Sequence, residues 1–216
     1  MNCLIIAATS VEISPFLEQY RNKCDLPANI NIDVLVTGIG LTATTYSLIK
    51  QINIKRPQII LQAGIGGGFE KSIPLGTVLA VKQDRFADLG VSESGKWKTL
   101  SDLGLLAANK YPFSKEWLVN KSELLKKVNL KKVNAVSVNE ITTSIQKINL
   151  YNKIFNPAVE SMEGAALHYV CLLEKIPFLQ IRSISNYIGE RNKKKWKIKD
   201  SIINMNNELV LLLNIL

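Results

Sequence analysis

The chain has 216 residues, of which 47% are hydrophobic, so it can bury one sizeable core, and we expect a single domain over residues 1–216. It contains no apolar run of about 18 residues, and its start, MNCLIIAATSVE, lacks the features of a secretory signal, which predicts a cytoplasmic protein without a membrane partner. The formal charge of +9 comes from lysines in segments such as LLKKVNLKK and RNKKKWKIKD, which lack a platform of stacking aromatic residues and so favour solvated faces over a nucleic-acid partner.

The first half of the chain alternates apolar strands with helical segments. NCLIIAA has the length of a strand, and TSVEISPFLEQY after it carries apolar residues at helical spacing behind a Thr/Ser start. INIDVLVTGIG predicts a second strand that ends in glycines, and LTATTYSLIKQI predicts a helix. PQIILQAGIGGGF predicts a third, buried strand that runs into a glycine loop at residues 64–68.

The second half continues this alternation. GTVLAVKQDRFAD and VNAVSVNEITTS each predict a strand, and residues 90–130 between them predict an excursion from the core. SMEGAALHYVCLLEKI predicts a helix, PFLQIRSIS the last strand, and SIINMNNELVLLLNIL a closing amphipathic helix. The pattern predicts a three-layer α/β/α architecture with a mixed, largely parallel central sheet.

The cysteines and the single histidine are not arranged for a metal or for triad chemistry. Cys3, Cys24 and Cys171 are an odd number without the spacing of a zinc site or a disulfide framework. His168 lies inside a predicted helix, where a packed side chain is the more common finding, and its position excludes a Ser-His-Asp or histidine-metal scheme.

Polar residues or glycines stand at the ends of four predicted strands, where ligands of open α/β sheets collect, and two glutamates stand at the start of a predicted helix. We expect them to form one site, and they are Glu12, residues 64–68, residues 139–143, Glu160 with Glu163, and residues 182–186.

Taken singly, these motifs leave alternatives open. GIGGGF fails the dinucleotide pattern because Phe69 stands at the last glycine position, although Asp84 lies at the distance expected of a ribose-binding acid. A tight turn explains the glycines as well as close approach to a flat ligand does. Helix capping alone could explain Glu160 and Glu163, whereas Glu163 with Met162 could also clamp a ribose.

Six segments occur together in an order and spacing that resemble the nucleoside phosphorylase/hydrolase superfamily: AATSVEISPFL, VLVTGIGLTATTYSL, QAGIGGGF, PLGTVLAV, VESMEGAAL and IRSISNYIGERN. Within it the chain is similar to purine nucleosidases that act on methylthioadenosine. It is most similar to futalosine hydrolases, in DRFADLGV, VESMEGAA and SNYIGERNKKKW. The resemblance implies a purine nucleoside substrate, no metal or organic cofactor, and a homodimer or higher homo-oligomer.

The resemblance also implies roles for single residues. Glu12 matches the acid that holds and activates the attacking water, and Met162 and Glu163 match the pair that grips the ribose. Ile141 and Thr142 fall where the family lines the base pocket, partly through backbone atoms.

The remaining matches include two departures from the family pattern. Ile65, which shares the pocket loop with Gly66 and Gly67, replaces a serine that nucleosidases often carry. Asn186 replaces the aspartate that protonates the purine at N7 in methylthioadenosine nucleosidases. An asparagine amide donates to N7 and O6 of a 6-oxopurine without a raised pKa, which favours hypoxanthine over adenine as the leaving base.

We therefore expect a hydrolase that cleaves futalosine to hypoxanthine and dehypoxanthine futalosine in the alternative menaquinone pathway. Glu12 would repel a phosphate co-substrate, which favours hydrolysis over phosphorolysis. Basic residues such as Arg85, Arg191 or the Lys193–Lys195 run could meet the distal carboxylate of the substrate. The alternatives are a methylthioadenosine/S-adenosylhomocysteine nucleosidase that releases adenine, and a non-catalytic nucleoside-binding protein.

Overall fold

The computed structural model describes residues 1–21, 30–94 and 96–216, so Cys24 lies outside the described residues. The strands are β1 (Asn2–Ala7), β2 (Asn31–Val36), β3 (Ile59–Gly68), β4 (Val78–Asp84), β5 (Gly90–Glu93), β6 (Lys96–Thr99), β7 (Leu118–Val119), β8 (Lys132–Ser137), β9 (Val159–Ser161) and β10 (Phe178–Tyr187). The helices are α1 (Ser10–Arg21), α2 (Leu41–Ile54), α3 (Glu123–Lys127), α4 (Ile145–Phe155), α5 (Gly164–Glu174) and α6 (Ile198–Leu213), with a 3-10 turn at Lys193–Lys195. In the described part of the chain, none of the helices has the length and apolar character needed to cross a membrane.

The main sheet of the described residues has eight strands and folds back on itself. Strands β2, β1, β3 and β10 run parallel side by side, and β10 then pairs with β4 in the antiparallel sense. Strands β4, β8 and β9 are again parallel, and β9 returns to the end of β3 in antiparallel pairing at Gly67 and Gly68. The predicted mixed, largely parallel sheet is confirmed, and β3 lies at its centre with three partners.

Helices cover both faces of this sheet. On β1 the alternating side chains separate, so that Ile5 packs in the cluster that includes Phe16 of α1 and Met205 of α6. Leu4 points to the other face and packs in the cluster that includes Leu48 of α2 and Leu167 of α5. The predicted three-layer α/β/α arrangement is therefore confirmed.

The structure corrects the prediction around the fourth and fifth helices. VNAVSVNEITTS contributes a strand only up to Ser137, and the unpredicted helix α4 follows at Ile145–Phe155. The segment VES forms β9, and α5 begins at Gly164 rather than at the predicted Ser161. The cause is long-range, because Ser161 pairs with Ser137 of β8 and is held in extended conformation before the helix starts.

His168 is a packed side chain, as its position in the sequence suggested. It is fully buried in α5, its Nδ1 lies 2.8 Å from the carbonyl oxygen of Leu118, and its ring packs against Phe178 at 4.6 Å between centroids. Burial lowers the pKa of His168 to about 3, so the imidazole is neutral at physiological pH. Cys3 and Cys171 are buried as well, and burial raises the pKa of each thiol.

We expect His168 to make the fold sensitive to acid. Its pKa is lowered from the ordinary 6.5 to about 3, so between these values the unfolded chain binds a proton that the folded chain excludes. The free energy of unfolding therefore falls with decreasing pH below 6.5, by about 1.4 kcal/mol per pH unit. His168→Asn removes this titration while its amide can still donate to Leu118, so the slope should flatten by that amount. Urea unfolding between about pH 4.5 and 7.5 measures the slope, and an unchanged slope would contradict the assignment.

Candidate functional site

A cavity of about 450 Å³ opens at the carboxyl ends of β1, β3, β9 and β10. Residues that the sequence predicted for a site line it: Glu12, Ile65, Gly66, Gly67, Ile141, Met162, Glu163 and Asn186. A second cavity, of about 550 Å³, lies at the opposite ends of β3 and β10, beside their first residues Ile59 and Phe178. None of the predicted site residues lines it. The first cavity, although it is the smaller of the two, is therefore the candidate functional site.

Glu12 is fixed at the start of α1 by a capping box formed with Thr9. The Thr9 hydroxyl accepts a hydrogen bond from the Glu12 backbone N–H at 3.3 Å, and Glu12 Oε2 accepts from the Thr9 backbone N–H at 3.1 Å. The other oxygen, Oε1, accepts from the backbone N–H of Ile65 at 3.0 Å. Glu12 is thus a buried carboxylate that is held by neutral donors at the cavity wall.

Glu163 and Arg182 form a buried ion pair next to Glu12. Glu163 Oε2 lies 3.3 Å from Arg182 Nη1, and both side chains are almost completely buried. The other oxygen of Glu163 accepts from the backbone N–H of Gly40 at 3.2 Å. A Cβ at Gly64 would lie 2.3 Å from Arg182 Nη1 and 3.3 Å from Glu12 Oε1. The missing side chain of Gly64 therefore provides the space in which the arginine approaches both carboxylates.

Asn186 reaches the cavity through a β-bulge. The register of β10 against β3 shifts between Ile184 and Asn186, and Asn186 lies opposite Gly67. The Ser185 hydroxyl donates to Asn186 Oδ1 at 2.9 Å, and Asn186 Nδ2 donates to the carbonyl oxygen of Tyr187 at 3.2 Å. Since the amide nitrogen has two hydrogens, one of them remains for a ligand.

Of the two residues predicted for the base pocket, Ile141 lines the cavity and Thr142 does not. Ile141 is 48% exposed and lines the mouth of the cavity. Thr142 is buried behind the wall, and its backbone N–H donates to Glu160 Oε1 at 3.0 Å. Burial raises the pKa of Glu160, which lines the cavity as well.

Asp84 does not lie where a ribose-binding acid would be. It is fully buried and accepts hydrogen bonds from Ser137 Oγ at 3.0 Å and Gln180 Nε2 at 2.8 Å. Burial raises the pKa of Asp84 to about 7. The dinucleotide interpretation of Asp84 is therefore wrong.

Of the basic residues considered for the far end of a substrate, Arg191 alone lines the cavity. Its guanidinium carbon lies 5.5 Å from the ring centre of Trp196, which also lines the cavity. Arg85 is instead buried against Phe155 and forms an ion pair with Glu116 at 3.0 Å. The Lys193–Lys195 turn is exposed outside the cavity wall.

Comparison with known proteins agrees with this geometry. A model of the phosphorylase superfamily matches residues 6–216. The chain belongs to this superfamily. The 5′-methylthioadenosine/S-adenosylhomocysteine nucleosidase of Buchnera aphidicola is 27% identical over 164 residues, which cover 73% of this chain and 67% of the relative. Futalosine hydrolase of Streptomyces coelicolor is 24% identical over 176 residues, 79% of this chain and 73% of the relative.

Solved structures extend the likeness of the fold over the whole chain. The structure of futalosine hydrolase from Helicobacter pylori matches with a TM-score of 0.83 and 21% identity, covering 100% of this chain and 98% of that chain. This likeness concerns the fold, so the choice between the two activities named for the relatives depends on the side chains of the site.

Two glycines of the pocket loop should differ in their tolerance of alanine. The Cβ of Gly64→Ala would collide with Arg182, which is held by its ion pair, so we expect a loss of about 1–3 kcal/mol in the free energy of unfolding. Gly67→Ala is the matched control, because its Cβ would collide with the Cδ1 tip of the Ile188 side chain, at 2.3 Å, which can rotate away, and its other contacts would be 3.4 Å or longer. Urea unfolding of both variants measures the difference, and equal losses would argue against a fixed Arg182.

Proposed function

We propose that this protein is a purine nucleosidase that hydrolyses the N-glycosidic bond of futalosine, releasing hypoxanthine and dehypoxanthine futalosine for menaquinone biosynthesis. The observation that carries the proposal is the meeting of Glu12, Glu163 and Asn186 in one cavity. Two buried carboxylates suit an attacking water and a ribosyl group that becomes cationic, and an amide suits a leaving purine.

The surroundings of Glu12 favour water over phosphate as the nucleophile. The backbone N–H of Ile65, which could otherwise bind an anion, already donates to Glu12, and Arg182 is paired with Glu163. A phosphate here would meet a carboxylate and would find the neighbouring arginine engaged. A water molecule would instead find Glu12 as a hydrogen-bond acceptor and general base, a role that typically contributes about 10²–10⁴-fold to the rate.

Glu163 would act on the sugar. Its carboxylate accepts from ribose hydroxyls, and its negative charge lies near the ring on which positive charge develops as the bond to the base breaks. This interaction accelerates the reaction to the extent that it strengthens in the transition state. Met162 lines the cavity beside Glu163 and would pack on the face of the sugar.

The orientation of the Asn186 amide supports a 6-oxopurine as the leaving base. Because only the amide nitrogen can donate to the carbonyl oxygen of Tyr187, Nδ2 is fixed on that side of the amide and keeps one hydrogen for a ligand. N7 and O6 of hypoxanthine are both acceptors, so an N–H donor matches them. Adenine offers a donor at its 6-position, which such an amide matches less well.

The mouth of the cavity supports an extended substrate and a second subunit. Arg191 and Trp196 line it and offer a cation and a flat ring to the distal carboxylate of futalosine. Val11 and Ile39 line it too and are 64% and 62% exposed. Apolar side chains exposed at a site mouth are typical of surfaces that a partner covers, so we include a homodimer or higher homo-oligomer in the proposal.

The proposal also covers the location, the domain organisation and the cofactor requirement of the enzyme. We place the enzyme in the cytoplasm, acting as one domain without a metal or organic cofactor. A second candidate, the release of adenine from methylthioadenosine, is favoured by the 27% identity to the nucleosidase of Buchnera aphidicola.

Identification of the released base tests the proposal. The purified protein is incubated with futalosine and, separately, with methylthioadenosine, and the products are separated by chromatography. We expect hypoxanthine from futalosine, and we expect Glu12→Gln to lower that rate at least about a hundredfold because the general base is lost. This variant also controls for a contaminating enzyme. Adenine from methylthioadenosine with futalosine left intact would refute the proposal in favour of the second candidate.

Asn186→Asp tests the matching of the base. An aspartate at this position, protonated on one oxygen, offers one donor and one acceptor, which fits N7 and the 6-amino group of adenine. We expect kcat/KM for futalosine to fall and that for methylthioadenosine to rise, changing their ratio at least about tenfold. Steady-state kinetics of both substrates measure the ratio, and an unchanged ratio would contradict a role of Asn186 in base choice.

A further inference from the structure

Glu163 stands immediately before α5 but does not cap this helix. Its side chain makes no capping hydrogen bond to α5, and its two oxygens bind Gly40 N–H and Arg182 instead. The first N–H groups of any helix lack partners within the helix and need acceptors from elsewhere. The carboxylate can face the cavity only because other groups take over the capping.

Two serines from neighbouring strands supply that cap. The backbone N–H of Gly164 donates to Ser161 Oγ at 3.1 Å, and the backbone N–H of Ala165 donates to Ser137 Oγ at 2.8 Å. Ser137 and Ser161 are register partners at the ends of β8 and β9. Side-chain oxygens that accept from the first N–H groups of a helix stabilise its start.

Asp84 fixes the direction of the Ser137 hydroxyl. Ser137 donates its single hydrogen to Asp84 Oδ1 at 3.0 Å, so the lone pairs of its oxygen are left for Ala165. The backbone N–H of Arg85 donates to the same carboxylate oxygen at 2.7 Å. Asp84 and Ser137 are fully buried, so bulk solvent does not supply a substitute partner.

The same carboxylate also holds β10. Asp84 Oδ2 accepts from Gln180 Nε2 at 2.8 Å, and Gln180 precedes Arg182 by two residues, on the same face of the strand. Asp84 is therefore linked to both elements that carry the Glu163–Arg182 ion pair: directly to β10 through Gln180, and to the start of α5 through the hydroxyl of Ser137. The fit is close, because a Cβ at Gly164 would lie 2.2 Å from Asp84 Oδ2 and 2.1 Å from Gln180 Oε1.

We infer that Asp84 is a positioning residue for the ribose clamp: through Ser137 and Gln180 it sets the distance between the start of α5 and β10, and so places Glu163 against the ribose hydroxyls. The inference rests on the proposed function in that Glu163 grips a ribose. Asp84 itself touches no substrate, since it does not line the cavity. Sequence reasoning missed this role because the hydrogen bonds join residues that are 53 and 96 positions apart.

The test compares futalosine with 2′-deoxyfutalosine, which lacks a hydroxyl that Glu163 would grip. In Asp84→Ala and in Ser137→Ala, the ratio of kcat/KM for futalosine to that for the deoxy analogue should fall at least about tenfold, the value of one hydrogen bond to a charged group.

Asp84→Asn is the matched control. Its amide oxygen can still bind Ser137, and Gln180, whose Oε1 has no hydrogen-bond partner among the described residues, can turn to accept from its nitrogen. This variant should keep the ratio within about threefold of the original protein, a change smaller than the loss of one hydrogen bond.

A merely structural role would lower the rates with both substrates equally and leave the ratio unchanged, and that result would overturn the inference. If Asp84→Ala does not fold, Ser137→Ala carries the test, because it removes only one hydroxyl.

If the original protein cleaves neither compound, the proposed function fails. Amide hydrogen exchange then tests, without any substrate, whether Asp84 holds the start of α5. The Ala165 amide should exchange at least about tenfold faster in Ser137→Ala and Asp84→Ala than in Asp84→Asn, with no difference at Leu172 near the end of α5. Equal exchange at Ala165 in all variants would overturn the inference.

Discussion

The buried guanidinium of Arg182 is the charge around which the site is organised. It is 1% exposed and lies within 3.3 Å of Glu163, in the space left by Gly64. Removing one member of such a pair leaves the other charge unpaired in the low-dielectric interior, which typically lowers the free energy of unfolding by about 3–5 kcal/mol. The glycine in β3, the arginine in β10 and the glutamate before α5 therefore depend on one another, although they come from three distant parts of the chain.

Arg182 balances only part of the negative charge beside it. Glu12, Glu160 and Glu163 all line the cavity, and the remaining compensation comes from backbone N–H groups of Thr9, Ile65, Gly40 and Thr142. Neutral donors fix the geometry of a carboxylate without cancelling its charge. The cavity thus keeps a negative field around these carboxylates, at the end where the proposed reaction places the sugar. This field would favour a cationic ribosyl group and disfavour an anionic co-substrate.

The sequence predicts the fold and the residues of the site better than it predicts the geometry of the site. Alternating apolar runs predict the order of strands and helices because periodicity is a local property, and the carboxyl ends of parallel strands predict where Glu12, Glu163 and Asn186 meet. The three residues of β9 are too few to show a period, and the bulge before Asn186 depends on the register with β3. The role of Asp84 could not be predicted for the same reason, since its partners Ser137 and Gln180 come together only through tertiary pairing.

The charge at the sugar end also bears on the identity of residue 186. A further carboxylate in a cavity that already contains Glu12, Glu160 and Glu163 would be pushed toward its protonated form by burial, which also raises the pKa of Glu160, and by repulsion from its neighbours. An aspartate here would become an acid that can protonate a purine. The amide of Asn186 carries no charge and donates at any pH, so it adds nothing to the repulsion and needs no proton. In the proposed reaction, the neutral donor at the base end would stabilise a departing 6-oxopurine, and the buried carboxylates at the sugar end would activate water.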